Sequence, residues 1–304
     1  MRRSRALGWL LAAALFGCGQ EAGAPAPATA REAAEVRESP GLALIVHPYD
    51  TPSRIITHFQ PLADYLSGQV GQPVHVQVAV SYGDQIRRIA AGEAQLAYIG
   101  PTPYLRAQDH YLKGAERKLQ LLAAEASETG MGYRSVLVAR IDDPLSTVDD
   151  ARGRTVAFGS PHSFSSHYVP RVMLARAGVE LADLKDYAYL RRHERVALAV
   201  LHGDFDLGGL RKAIAERYLE RGLRIVEESP SLPPHVIAAA PDLDPELAAR
   251  LREALLGAEG EALAEFQPFG ERVRFAPVDD DDFALARAVV QAVEGACRRE
   301  TLPW

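Results

Sequence analysis

From residue 42 onward, short apolar runs alternate with longer segments whose apolar positions recur every three or four residues. Residues 42–47 (LALIVH) read as a buried strand. In 58–70, Phe59, Leu62, Tyr65 and Leu66 fall on one helical face. Residues 76–80 (VQVAV) place Val76, Val78 and Val80 on one side of a strand. Ser81 and Tyr82 stand at that strand's carboxyl end, and Gly83-Asp84 open a helix. Residues 96–99 form a strand that Gly100-Pro101 breaks. Further strands are expected at 119–124, 133–140, 155–158, 205–207, 223–228 and 235–239. Helices are expected at 104–112, after the loop 159–169 as far as Ala177, and at 193–201, 211–221, 246–256 and 283–299. Asp279 to Asp282 read as the acidic, capping start of the last helix.

Alternation of this kind predicts an α/β fold with mostly parallel sheets covered by helices. Ligands in such folds bind just outside the carboxyl ends of strands. Tyr82, Tyr98 and Tyr104 are thereby placed near a cleft, and so are His47, Tyr49 and Asp50. The length beyond residue 40 suits two domains better than one. The polar, Gly-containing segment 127–132 and the proline-rich segment 228–234 are the natural crossings. The expected division is 41–130 with 235–304 as one lobe, and 131–234 as the other.

The N-terminus changes the picture. Arg2, Arg3 and Arg5 precede an apolar stretch, 6–16, of the length of an export signal and too short to span a bilayer. Leu15-Phe16-Gly17-Cys18 resembles the lipobox of bacterial lipoproteins, with Phe16 bulkier than the usual occupant. That resemblance implies removal of 1–17, a lipid on Cys18 and anchoring to a bacterial membrane on the periplasmic side. An ordinary signal peptide with an incidental cysteine is the alternative. Residues 19–30 (GQEAGAPAPATA) have the composition of a flexible spacer, so 18–40 reads as a tether. Cys297 is the second of two cysteines. A lipidated Cys18 therefore leaves no disulfide, and stability must come from the core.

Charge and spacing remove several function classes. The formal charge is −6, and the part after the signal is more negative still. No basic stripe suited to nucleic acid stands out. Nine histidines are scattered without a metal-ligating set. Neither a P-loop nor a dinucleotide fingerprint occurs, so no cofactor is expected.

Four segments share a pattern. They are Phe59-Gln60-Pro61-Leu62-Ala63 with Tyr65-Leu66; Ser81-Tyr82 with Ala97-Tyr98-Ile99-Gly100-Pro101; residues 163–170 (SFSSHYVP); and His193-Glu194 running into Gly203-Asp204-Phe205-Asp206. In this order they resemble the phosphate/phosphite/phosphonate ABC-transporter substrate-binding family. The resemblance implies a two-lobed periplasmic-binding-protein fold (type II, transferrin-like) with a ligand cleft between lobes. It further implies a monomer that captures a small oxyanion by hinge closure and delivers it to an ABC permease.

Ser163, Ser165 and Ser166 precede a helix, whose unpaired N–H groups suit an anion. Phe164 replaces a hydroxyl that the family usually has, and Ser166 replaces a glycine. Tyr82 matches a family tyrosine that donates to the ligand, whereas Ile99 stands where a second tyrosine is usual. His193 and Asp206 match a family histidine and acid, and Arg211 and Tyr49 are further candidates. Two other functions use the same residue types. A hydrolase needs a serine on a strained elbow, and no G-x-S-x-G motif is present. A sensor for a membrane histidine kinase would capture its ligand in the same way as a transport receptor.

Overall fold

The computed structural model describes residues 41–127, 130–258, 261–295 and 303–304. Residues 1–17, expected as an export signal, Cys18 and the rest of the expected tether 18–40, and Cys297 all lie outside the described residues. The chain opens with β1 (Leu42–Val46), α1 (Pro52–Val70), β2 (Val74–Val78), α2 (Tyr82–Ala90), β3 (Leu96–Ile99) and α3 (Pro101–Leu105). After a π-helical turn, Arg106–Tyr111, come β4 (Gln120–Ser127) and β5 (Gly130–Met131). The middle of the chain holds β6 (Ser135–Arg140), β7 (Thr155–Phe158), a second π-helical turn over Phe164–Tyr168 and α4 (Val169–Arg176). It continues through β8 (Asp186–Tyr189), α5 (His193–Leu201), β9 (Leu207–Arg211), α6 (Lys212–Leu219) and β10 (Leu223–Glu228). The chain finishes with β11 (Val236–Ala239), α7 (Pro245–Leu256), α8 (Glu261–Ala264), β12 (Arg274–Ala276) and α9 (Ala284–Glu294).

Among the described residues the strands form two sheets. One has seven strands in the order β12-β4-β11-β3-β1-β2, with β5 paired to β4. The other has five, in the order β10-β6-β9-β7-β8. The sheets are mixed, which corrects the expectation of mostly parallel ones. β1 is parallel to β2 and β3, but β11 is antiparallel to both β3 and β4. In the second sheet β7 is parallel to β8 and β9, whereas β6 is antiparallel to β9 and β10. A strand that follows a helical return runs in the same direction as the strand before it in the chain. β6 and β11 instead enter their sheets directly from the segments that cross between the sheets, and so run the other way. Those two crossings pair with each other: Leu232 N–H donates to the Tyr133 carbonyl at 2.8 Å, and Tyr133 N–H to Leu232 at 3.3 Å. Gly132 permits this approach. Its φ is +100°, and a Cβ there would sit 2.5 Å from the Leu232 oxygen.

Helix α1 begins six residues before the expected start at 58, because Pro52 suits the first helical turn. Phe59, Leu62 and Leu66 are fully buried on its inner face, and Gly71, at φ 71°, closes it. β2 is an edge strand that ends at Val78, so Val80 does not continue it and is 85% exposed. Ser81 then caps α2 by accepting from Asp84 N–H at 3.0 Å. The strand expected at 205–207 lies at Leu207–Arg211, and the last helix starts at Ala284 behind an Asp279 capping box. No helix of the described residues is long and apolar enough to cross a membrane.

Candidate functional site

Loops from both sheets meet around one small cavity. The first sheet supplies His47 after β1, Tyr82 at the start of α2, and Gly100, Pro101 and Pro103 after β3. The second supplies Ser163, Phe164 and Ser165 after β7, with His193 at the start of α5. Tyr133 and His235 come from the two crossings, and Phe269 from the turn before β12. The open space at the centre is about 10 Å³, on the order of one water. None of these lining residues is a carboxylate, lysine or arginine.

The serine loop is held by its own backbone. Ser163 Oγ accepts from Ser166 N–H at 3.2 Å, which leaves the Ser163 hydroxyl proton to donate elsewhere. Ser135 Oγ donates to the Ser165 carbonyl at 2.6 Å. The π-helical turn and α4 follow one another without a break, so the loop ends in a helix N-terminus with the positive end of its dipole at the cavity. Ser163 faces Tyr82 and Ser165 faces Tyr133 closely enough for the hydroxyls to interact. Each contact joins a serine of the second sheet to a tyrosine outside it. Ser166 does not share their role: its hydroxyl donates to the Gly209 carbonyl, tying the loop to β9.

His193 lines the cavity and is 4% exposed. Its Nδ1 accepts from Arg211 N–H at 3.2 Å, so the proton of the neutral ring resides on Nε2. Burial first, then the charge of Arg211, push its pKa down to about 3. His47 is lowered to about 4, chiefly by burial, and His235 is held well below the usual range for the same reason. Burial also raises the hydroxyl pKa values of Tyr82 and Tyr133. The lining groups are therefore neutral hydrogen-bonding groups at pH 7.

Arg211 lies behind this wall and not on it. Its guanidinium is sandwiched between the rings of Tyr133, 4.5 Å from the centroid, and Phe269, at 4.1 Å. It pairs with Glu125 at 2.7 Å and Glu271 at 2.8 Å, and donates to His235 Nδ1 at 3.3 Å. Glu125 in turn accepts from the Tyr98 hydroxyl. A second, polar cavity of about 440 Å³ on the far side of Arg211 is lined by Glu125, Tyr133, Lys212, Glu271 and Arg272, among others. Phe269 adopts a left-handed backbone (φ 58°) that costs a side-chain-bearing residue energy. Its ring contacts Tyr49, His235 and the Arg211 guanidinium.

Two other candidates are placed elsewhere. Asp206 is not on the cavity; its Oδ2 accepts from Thr155 N–H and Oγ1, both at 2.8 Å, and Arg154 lies at 3.5 Å. It anchors the start of β7, because the turn before β9 needs its backbone groups satisfied. Asp206→Ala is expected to cost about 1 kcal/mol of stability, seen in the denaturation midpoint, with ligand affinity unchanged. Tyr49 is buried behind the wall against Phe269, at 4.1 Å between ring centroids. Tyr104 donates to Asp280 at 2.7 Å, and Ile99 pairs with Val236 in the core. Sequence reasoning missed Tyr133, His235 and Phe269 as site residues: Tyr133 and His235 open the expected strands 133–140 and 235–239 but lie in the crossings ahead of β6 and β11, and Phe269 sits in a turn. His47 was legible as a strand-end residue.

The model of the family of ABC transporter, phosphonate, periplasmic substrate-binding proteins matches residues 44–283. The phosphate-import protein PhnD of Mycolicibacterium smegmatis is 27% identical over 228 residues, covering 69% of this chain and 70% of that protein. The fold is shared with PhnD1 of Prochlorococcus marinus, solved in complex with methylphosphonate. That match has a TM-score of 0.75 at 17% identity, over 83% of this chain and 98% of the other. A binding-protein component of an ABC phosphonate transporter from Pseudomonas aeruginosa matches with TM-score 0.73 at 22% identity, over 85% and 88%.

Proposed function

Because this chain belongs to the family of periplasmic substrate-binding proteins of phosphonate ABC transporters, we propose that it captures a small phosphorus oxyanion and hands it to an ABC permease. The family acts outside the cytoplasm as a transport component and not as an enzyme, so the hydrolase alternative is set aside. The sensor alternative is not favoured, since the relatives named above are import or transporter proteins. Phosphate and methylphosphonate, which those relatives' names carry, are the first ligands to try here.

The observation that supports this reading best is the set of neutral donors around the cavity: Ser163, Ser165, Tyr82, Tyr133 and His193. An oxyanion needs several convergent donors, and a helix N-terminus adds a positive potential without a competing counter-ion. A cavity of about 10 Å³ is smaller than any phosphonate. Entry therefore requires the parts carrying the two sheets to separate, and the paired crossings at Tyr133 and Leu232 are the hinge this proposal requires. In this reading 41–130 with 235–304 form one lobe and 131–234 the other, the protein is a monomer, and a lipid on Cys18 holds it at the membrane.

Thermal-shift and calorimetric titration with phosphate, phosphite, methylphosphonate and aminoethylphosphonate test it. A ligand at 100 times its Kd adds about 2.7 kcal/mol of stability. Ser163→Ala is expected to weaken the best ligand about 10- to 100-fold, with the melting temperature of the free protein changed by only a few degrees. If none of the four ligands binds the purified protein, the proposal fails.

A further inference from the structure

Three histidines line the cavity, and their hydrogen bonds give them different faces. His193 Nδ1 accepts from Arg211 N–H, and His235 Nδ1 accepts from the Arg211 guanidinium. Both rings therefore carry their proton on Nε2 and can donate. His47 is the reverse case. Its Nδ1 lies 3.3 Å from the Tyr98 carbonyl, an oxygen that only accepts. The proton must be on Nδ1, and Nε2 is left as a bare lone pair. That nitrogen has no hydrogen-bond partner among the described residues, and the ring lines the cavity.

Aromatic rings surround the His47 imidazole. His47 stacks on His235 at 5.5 Å and on Tyr98 at 6.0 Å, with Tyr82 at 4.8 Å and Tyr49 at 5.4 Å on its other sides. Burial and the charge of Arg211 both oppose protonation of the ring. The hydroxyls of Ser163, Ser165, Tyr82 and Tyr133 can rotate to give or take a hydrogen bond. His47 Nε2 can only take one.

We propose that His47 is a specificity residue of this site: its Nε2 accepts a hydrogen bond from a protonated oxygen of the ligand and so selects oxyanions that keep a proton over those that keep none. The proposal rests on the oxyanion-receptor reading above. Phosphate, and phosphonates as monoanions, carry a P–OH that satisfies the lone pair. Sulfate carries no such proton at neutral pH, and one of its oxygens would face the lone pair directly. A donor-rich cavity attracts both anions, so discrimination between them has to come from an obligate acceptor.

The test is calorimetric titration at pH 7 with phosphate, methylphosphonate and sulfate, on the wild-type protein and on His47→Phe. The wild type is expected to bind its better phosphorus ligand at least about 100-fold more tightly than sulfate. In His47→Phe that ligand weakens about 10- to 100-fold and sulfate does not, so the ratio collapses. Should His47→Phe fail to fold by circular dichroism, His47→Gln decides. Its amide can present either an oxygen or an NH₂, and the ratio falls there too. A wild-type protein that binds sulfate within about tenfold of phosphorus ligands overturns the assignment, as does an unchanged ratio in a folded variant. Absence of binding by every phosphorus oxyanion sinks the receptor reading itself, which keeps the two failures distinct.

Discussion

Lowering the pH from 7 to 4.5 is expected to remove several kcal/mol from the stability of the folded protein, well before its carboxylates protonate. The cause lies in the buried histidines. His47 and His167 are held at about 4 and His193 at about 3, mainly by burial, and burial also holds His235 well below its usual range. In the unfolded chain each returns to about 6.5. Between those values the unfolded state binds the extra protons, so stability falls as pH falls. Each histidine contributes a slope approaching 1.4 kcal/mol per pH unit once the pH is below its unfolded pKa. The stability is fully present above about pH 7 and is lost progressively toward pH 4. Asp206 and Asp280, whose pKa values are lowered, add losses of the same sign only at still lower pH. Urea denaturation at pH 7.5, 6, 5 and 4.5 reads this directly. A midpoint that stays flat from 7 to 5 contradicts it.

Glu125→Ala is expected to be the most damaging single substitution near the site, at about 3–5 kcal/mol. Arg211 and Glu125 are 3% and 8% exposed at their side chains, so removal of one leaves the other's charge buried. Tyr98 would lose the acceptor of its hydroxyl in the same step. Glu271, 42% exposed, cannot take over, and Glu271→Ala should cost less than about 1 kcal/mol. Replacing both partners by apolar residues of similar size, as in Arg211→Met with Glu125→Leu, should recover much of the loss. Equilibrium unfolding of the three variants separates these cases. Equal costs for Glu125→Ala and Glu271→Ala would refute the assignment of Glu125 as the principal counter-charge. The pair also connects β9 to β4, strands of different sheets. Its loss should therefore loosen the contact between the two sheets as well as weaken the fold.

Much of this protein is legible in its sequence because much of its order is local. The helical spacing of Phe59, Leu62 and Leu66 depends only on which face must be buried, and α1 carries that face inward. Helix α5 and strands β7 and β10 start and stop where the apolar pattern does. Ser163, Ser165, Tyr82 and His193 are readable because strand ends and helix starts are local features, and those are where the cavity forms.

What only the tertiary structure decided involves partners far apart in the chain. Arg211 looks like a ligand-binding charge in the sequence, yet Glu125, 86 residues away, and Glu271, 60 away, take it. Asp206 looks like a family acid, but its carboxylate is used by Thr155, 51 residues before it. The direction of β11 and the entry of Tyr133 and His235 into the cavity follow from the path of the chain between two sheets. The tautomer of His47 follows from one carbonyl, that of Tyr98, across a strand pair. Local burial and capping write themselves into residue spacing, because neighbours in the chain are then neighbours in space. Charge pairing and proton placement depend on which distant groups arrive at the same point, and nothing in the spacing records that meeting.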